Sequence, residues 1–132
     1  MERTLAIIKP DSVKKNVVGK IIDRIESEGF RIVEMRLVHL TADAAMEFYA
    51  VHRQRPFFED LVAFISSGDS VVLLLERENA IGYWREVMGS TDPGRAVPGT
   101  IRRIFGFSIE RNAVHGSDSR DTAATEIAFF FK

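Results

Sequence analysis

The apolar residues of this chain come in short bursts whose spacing changes from segment to segment, and that succession constrains the fold more than any other feature of the sequence. Residues 4–9 form a β-leaning run that stops at Pro10, which suits a strand. Val18, Ile21, Ile22 and Ile25 then recur at helical spacing, and Gly29 stands where a helix C-cap belongs. From residue 31 to 40 the pattern alternates: Val33, Met35 and Leu37 share one face, Glu34 and Arg36 the other, as in a half-buried strand. Thr41 is placed to cap a helix carrying Ala45, Met46, Phe48 and Tyr49, and Pro56 to open another with Phe57, Leu61, Phe64 and Ile65 as its stripe. Residues 66–69 break that helix before a strand over 70–76. Asn79 caps a further helix that turns Ala80, Ile81, Trp84, Val87 and Met88 inward. Residues 89–116 are mostly irregular, broken by Pro93, Gly94, Pro98 and Gly99, and loops of such length tend to carry function. Ser117 or Asp118 caps a short helix, and residues 127–131 make a last strand.

The order predicts an α+β chain on the split βαβ (ferredoxin-like) plan: a four-stranded antiparallel sheet, helices packed on one face of it, and a long loop before the segment around residue 115. The 132 residues suit one domain, 1–132. No apolar run approaches the roughly 20 residues of a membrane span, so no membrane partner is expected. With no cysteine, disulfides, thiolate catalysis and sulfur-ligated zinc are out, and a cytoplasmic location is the expectation, the N-terminus lacking the make-up of a signal peptide. A net charge of −1 gives no global field for nucleic acid, although Arg85, Arg95, Arg102, Arg103 and Arg111 gather in the last third.

Chemistry has few places to reside. Residues 94–100 have the glycine spacing of a phosphate loop but lack its lysine, and Pro98 removes an amide donor. No zinc motif, dinucleotide fingerprint or nucleophile elbow occurs. Of the three histidines, His39 lies on the strand face of Val33, Met35 and Leu37 and reads as a core or rim residue, and His52 as a helix C-terminal cap. His115 differs. It closes the long loop within Asn112-Ala113-Val114-His115-Gly116-Ser117-Asp118-Ser119, where Gly116 clears space beside the ring and the residues after it supply hydrogen-bonding groups.

That octapeptide resembles the active-site signature of the nucleoside diphosphate kinase family, in which the histidine is the phosphoryl acceptor. The resemblance runs from Arg3-Thr4-Leu5-Ala6-Ile7-Ile8-Lys9-Pro10-Asp11 to Glu126-Ile127-Ala128-Phe129-Phe130-Phe131, through Phe48-Tyr49-Ala50, Arg55-Pro56-Phe57-Phe58, Gly89-Ser90-Thr91-Asp92-Pro93 and Gly99-Thr100-Ile101-Arg102. It implies a ping-pong transfer of the terminal phosphate of a nucleoside triphosphate to a nucleoside diphosphate through a phosphohistidine, maintaining nucleotide pools. By resemblance His115 is the nucleophile, with Tyr49, Glu126 and Ser117 bordering and orienting its ring. Lys9, Arg85, Thr91 and Arg102 match the phosphate-binding set, Phe57 the residue on which the base stacks, and Asn112 with Lys9 the groups that contact the sugar. A stacking face accepts any base, so broad nucleotide specificity is expected. Mg²⁺ is implied as a bridge between nucleotide phosphates, with no protein ligand nominated, and the chain is expected to be a homo-oligomer, a tetramer or hexamer built from dimers.

The sequence also departs from the pattern. Arg103-Ile104 replaces a small residue and an aspartate, Asp69 a common proline and Arg77 a common glycine, and most relatives continue beyond the point where this chain ends; these changes bear on loop packing and assembly. Two rivals stand beside the kinase. A catalytically idle nucleotide sensor predicts a broken catalytic set, whereas all the matched residues are present. A nucleic-acid-binding module of the same fold is disfavoured by the balanced charge and the missing RNA-recognition aromatics, which leaves nucleic acid as at most a secondary partner.

Overall fold

The computed structural model describes residues 1–131. Its centre is an antiparallel four-stranded sheet of β1 (Glu2–Ile8), β2 (Arg31–Val38), β3 (Ser70–Arg77) and β4 (Val114–Gly116), in the order β2-β3-β1-β4. This is the ferredoxin-like order, and it puts the two most apolar strands, β1 and β3, in the middle. Their side chains alternate between two cores. Ala6, Ile8, Val71, Leu73 and Leu75 point to one, Leu5, Ile7, Val72 and Leu74 to the other.

Helices cover both faces, not one as the segment order had implied. On the first face lie α2 (Val18–Ser27), through Ile21 and Ile25, and α5 (Ala80–Met88), through Ala80, Trp84, Val87 and Met88, together with Ile101 of α6 (Ile101–Phe105). On the second lie α3 (Ala42–Phe48), α4 (Phe58–Ile65) and α7 (Arg120–Phe130). A short α1 (Pro10–Lys14) turns the chain at the end of β1. A sheet whose central strands are apolar on both sides needs two covers, and the uninterrupted run from Val71 to Leu75 carried that information.

Three local features depart from the sequence reading. The segment 127–131 is not a strand: it belongs to α7 and its C-cap, and the fourth strand is the three-residue β4. An apolar run of this length fits either state by periodicity alone. What decides is the capping box at Ser119 and Thr122, one or two residues later than the expected cap, which starts a helix of 11 residues. Met35 and Leu37 are not buried with Val33, being 50% and 67% exposed. The register shifts between Ile32 and Glu34, which moves Val33 to the second core and leaves Met35 and Leu37 on the first face of an edge strand, beyond the reach of a covering helix. Asn79 precedes α5 in the left-handed region without a capping bond, and the Glu2 carboxylate instead accepts from Ile81 N at 2.9 Å. Thr41 and Gly29 behave as expected: Thr41 Oγ1 accepts from Ala44 N, and Gly29 leaves α2 at φ 85°.

Candidate active site

The site begins at the corner after β1. There the segment Asn112-Ala113-Val114 folds into a γ-turn, with Val114 N donating to Asn112 O at 2.9 Å and Ala113 at φ 76°. That is the strained hand of the turn, at a cost on the order of 1–3 kcal/mol. The surroundings over-determine it. Ala113 N donates to Asp11 Oδ2 at 3.0 Å, and Ala113 O accepts from Lys9 N at 2.9 Å and from the Ser12 hydroxyl at 3.3 Å. The turn delivers the chain into β4, where His115 lies opposite Ile7.

His115 is held from every side. Its Nε2 lies 3.0 Å from Glu126 Oε1, and the same oxygen accepts the Ser117 hydroxyl at 2.7 Å. Ser117 is fully buried and in turn accepts from Leu5 N at 3.3 Å, so the carboxylate is aimed by a group fixed to the sheet. Glu126 stands within α7, not at a helix end. Phe48 packs against the imidazole edge-on, with ring centroids 5.5 Å apart. Behind the strand, Trp84 Nε1 donates to His115 O at 3.2 Å. Gly116 clears no space at the imidazole: a Cβ there would stand 2.4 Å from Trp84 Cδ1 and 2.7 Å from Met88 Cε, so what it admits is the indole.

In front of the ring is a cavity of about 510 Å³. Its wall contains eight of the ten residues singled out from the sequence: His115, Tyr49, Lys9, Phe57, Arg85, Thr91, Arg102 and Asn112. The other two, Glu126 and Ser117, stand behind His115. Lys9 Nζ donates to Asn112 Oδ1 at 2.9 Å, and Asn112 Nδ2 donates to Thr91 O at 3.0 Å, so one amide ties the lysine to the long loop. Arg102 donates to Gly89 O at 3.0 Å and to Val114 O at 2.9 Å, while its buried Nε has no partner. Phe57 precedes α4 and is 41% exposed at the cavity wall, not part of a buried stripe.

Burial and like charge act on these cations together. Burial, and then the Arg102 guanidinium, push Lys9 down from the usual 10.5 to about 8, against a smaller opposing pull from Asp11. Burial, and then Arg85, lower Arg102 to about 10. Both remain largely charged at neutral pH, and each would regain favourable energy from an anion placed between them. Burial, followed by the nearby Glu126 carboxylate, pushes the Tyr49 hydroxyl well above the ordinary phenol range, so it stays a neutral hydrogen-bonding group.

The cavity also contains residues that the sequence reading did not place there, including His52, Leu61, Ile109, Glu110 and Asp118. His52 does not cap a helix: it is the last residue of a 3₁₀ turn whose C-cap is Arg53, and its ring is 5.6 Å from that of Phe57. His39 is exposed and bonds to Ser66 O at 3.0 Å, because it follows the edge strand. Ile109, 55% exposed, offered no periodic signal.

A family model described as nucleoside diphosphate kinase matches residues 2–132. A nucleoside diphosphate kinase of Geotalea uraniireducens is 59% identical over 131 residues, which cover 99% of this chain and 96% of that protein. One from Nitratiruptor is 60% identical over 131 residues, with the same shares. Among solved structures, the Aquifex aeolicus nucleoside diphosphate kinase superposes with a TM-score of 0.97 at 47% identity, covering 99% of this chain and 95% of the other. The halophilic nucleoside diphosphate kinase of Halobacterium salinarum, in complex with CDP, gives 0.95 at 39% identity, covering 99% and 88%.

Proposed function

The chain belongs to the nucleoside diphosphate kinase family, and we propose that the phosphoryl carrier in its reaction is His115, attacking through Nδ1. The activity is transfer of the terminal phosphate of a nucleoside triphosphate to a nucleoside diphosphate. One observation carries the assignment of atoms. Glu126 Oε1 is an acceptor 3.0 Å from Nε2, so that nitrogen bears the proton and the lone pair resides on Nδ1 of a ring that lines the cationic cavity.

The steps follow from this tautomer. Nδ1 forms a bond to the terminal phosphorus, the bond from phosphorus to the bridging oxygen breaks, and its electron pair leaves with the diphosphate. The positive charge that develops on the imidazole faces the Glu126 carboxylate, which Ser117 holds in place. A second diphosphate then attacks the phosphohistidine with a terminal oxygen, and Nδ1 recovers its lone pair. Lys9, Arg85, Thr91 and Arg102 bind and neutralise the phosphates from the cavity wall. Tyr49 borders the ring, Phe57 stacks on the base, and Asn112 with Lys9 holds the sugar hydroxyls.

Such chemistry generally calls for a divalent cation, and we assign it as Mg²⁺ carried on the nucleotide phosphates. The cavity wall suits an ion that arrives with its ligands: two carboxylates, Asp118 and Glu110, stand among the cations, and Asp118 would accept hydrogen bonds from the ion's water shell. Bound there, such an ion would supply positive charge toward the phosphates beside that of Lys9, Arg85 and Arg102. We further read residues 1–132 as one domain, active in the cytoplasm where nucleotides are made and used; no helix among the described residues is long and apolar enough to cross a membrane. The exposed Met35 and Leu37 on the free edge of β2 support self-association into dimers and from these into a tetramer or hexamer, which light scattering would measure.

The deciding experiment uses Mg²⁺ and γ-labelled ATP without an acceptor. An acid-labile, base-stable label is expected on His115, and it should pass to added GDP or dTDP. Absence of label, or a label that persists in His115→Ala, rejects the assignment.

A further inference from the structure

The short helix α6, which carries Arg102, is tied to the body of the protein at both ends by basic side chains from one segment. At its start, a guanidinium nitrogen of Arg24 on α2 donates to Gly99 O at 2.6 Å, the carbonyl just before the cap residue Thr100. At its end, Lys15 Nζ donates to Phe105 O at 3.0 Å. A cation suits the carbonyls at a helix C-terminus, as Lys15 does at Phe105, and both contacts bridge more than 70 residues of sequence.

Arg24 is itself braced. Its Nε donates to Glu28 Oε2 at 2.6 Å, and the other Glu28 oxygen accepts the Tyr83 hydroxyl. The Tyr83 hydroxyl and then Arg24 hold the Glu28 carboxyl below its usual range, so it stays charged at neutral pH. Arg77 lies over the Tyr83 ring, 3.9 Å from its centroid, and also donates to the backbone carbonyl of Glu28. Arg77, which replaces a common glycine, thus joins the end of β3 and α5 to the end of α2. The contacts continue from there to Gly99 and so to the loop.

We propose that Arg24, assisted by Lys15, is a positioning residue for phosphoryl transfer: it fixes α6 so that Arg102 meets the phosphates, and Glu28, Tyr83 and Arg77 hold Arg24 in that pose. The proposal rests on Arg102 being a phosphate ligand. Arg102 lines the cavity and its terminal nitrogens are bonded to Gly89 O and Val114 O, so a shift of α6 either displaces the guanidinium or strains those bonds. Misplacement of a binding group by about 1 Å can cost as much as about 100-fold in rate.

The test is a kinetic cycle on the full-length chain, with steady-state constants and labelling of His115 by γ-labelled ATP for each variant. Arg24→Ala is expected to raise the nucleotide KM about 10-fold and to lower kcat several-fold, with Arg24→Lys recovering part of both. On an Arg102→Ala background the same change should have almost no further effect, because Arg24 acts through Arg102. A general structural role would instead multiply the two losses. Wild-type kinetics in Arg24→Ala, or independent losses in the double variant, overturn the proposal while normal labelling of the wild type leaves the kinase assignment intact. Failure of the wild type to label His115 defeats that assignment instead. Should Arg24→Ala fail to fold, Glu28→Ala frees Arg24 without removing it. It should raise KM about threefold, and an unchanged KM would count against the brace.

Discussion

The two ends of the proposed nucleotide cavity are built on opposite plans. At the proposed phosphate end the groups are charged or polar and tied down by hydrogen bonds: Lys9 to the Asn112 side chain, Arg102 to the carbonyls of Gly89 and Val114, His115 to the Glu126 carboxylate. At the nucleoside end Phe57 and Ile109 stand partly in solvent and offer apolar faces. In the proposed reaction the invariant part of every nucleotide, its phosphates, meets the rigid end, and the variable part, its base, meets the open one. Precision is concentrated where the chemistry is, and breadth of substrate follows from having little to read the base edge with.

Substitutions at the two ends should therefore differ in kind as well as size. His115→Ala is expected to lower turnover by about 10⁴-fold or more, measured by coupled assay, with little loss of nucleotide binding; an active variant would dissolve the contrast altogether. Arg102→Ala should cost roughly 100- to 1,000-fold in kcat/KM, with kcat carrying a good part of the loss, since the charge it neutralises grows along the reaction path. Phe57→Ala should raise KM roughly 5- to 50-fold at almost constant kcat, and by similar factors for adenine, guanine, cytosine and thymine substrates. A loss confined to one base would mean that the open end reads edges after all.

The smallest effect lies in pH. Lys9 has a folded pKa of about 8 against 10.5 for the free side chain, so between these values the unfolded chain holds the extra proton. Stability of the free protein should therefore rise with pH across that window, and the contribution is lost as pH falls through about 8. Phosphate binding needs the charged amine and should weaken by several-fold over the same rise. Thermal midpoints and nucleotide titrations from pH 7 to 10 should move in opposite senses, and Lys9→Met should flatten both trends.

The same division explains how far the sequence could be read. Strands β1 and β3 announce themselves through β-branched runs, and α2, α3 and α5 through helical spacing, because a buried face leaves a period behind. The ten site residues were recognised through matched motifs, not through physics alone: nothing in the spacing says that Lys9 and Asn112, 103 positions apart, share a hydrogen bond. β4 is three residues long, too short to show alternation, so the strand bearing His115 was hidden inside a loop. The aromatic end of α7 looks like a strand in the sequence because one apolar run satisfies either geometry. Ile109 and His52 escaped because a residue at the lip of a cavity is neither core nor plainly polar.

Gly116 forbids a side chain at its own position. The indole of Trp84 fills the room where any side chain would have to go, so even Gly116→Ala must drive the strand forward or the tryptophan out. In a saturation library, position 116 should thus be as barren as position 115, though it brings no reactive group of its own. His115, the proposed phosphoryl carrier, can thus be disabled from the rear, by crowding a residue that chemistry never asks for.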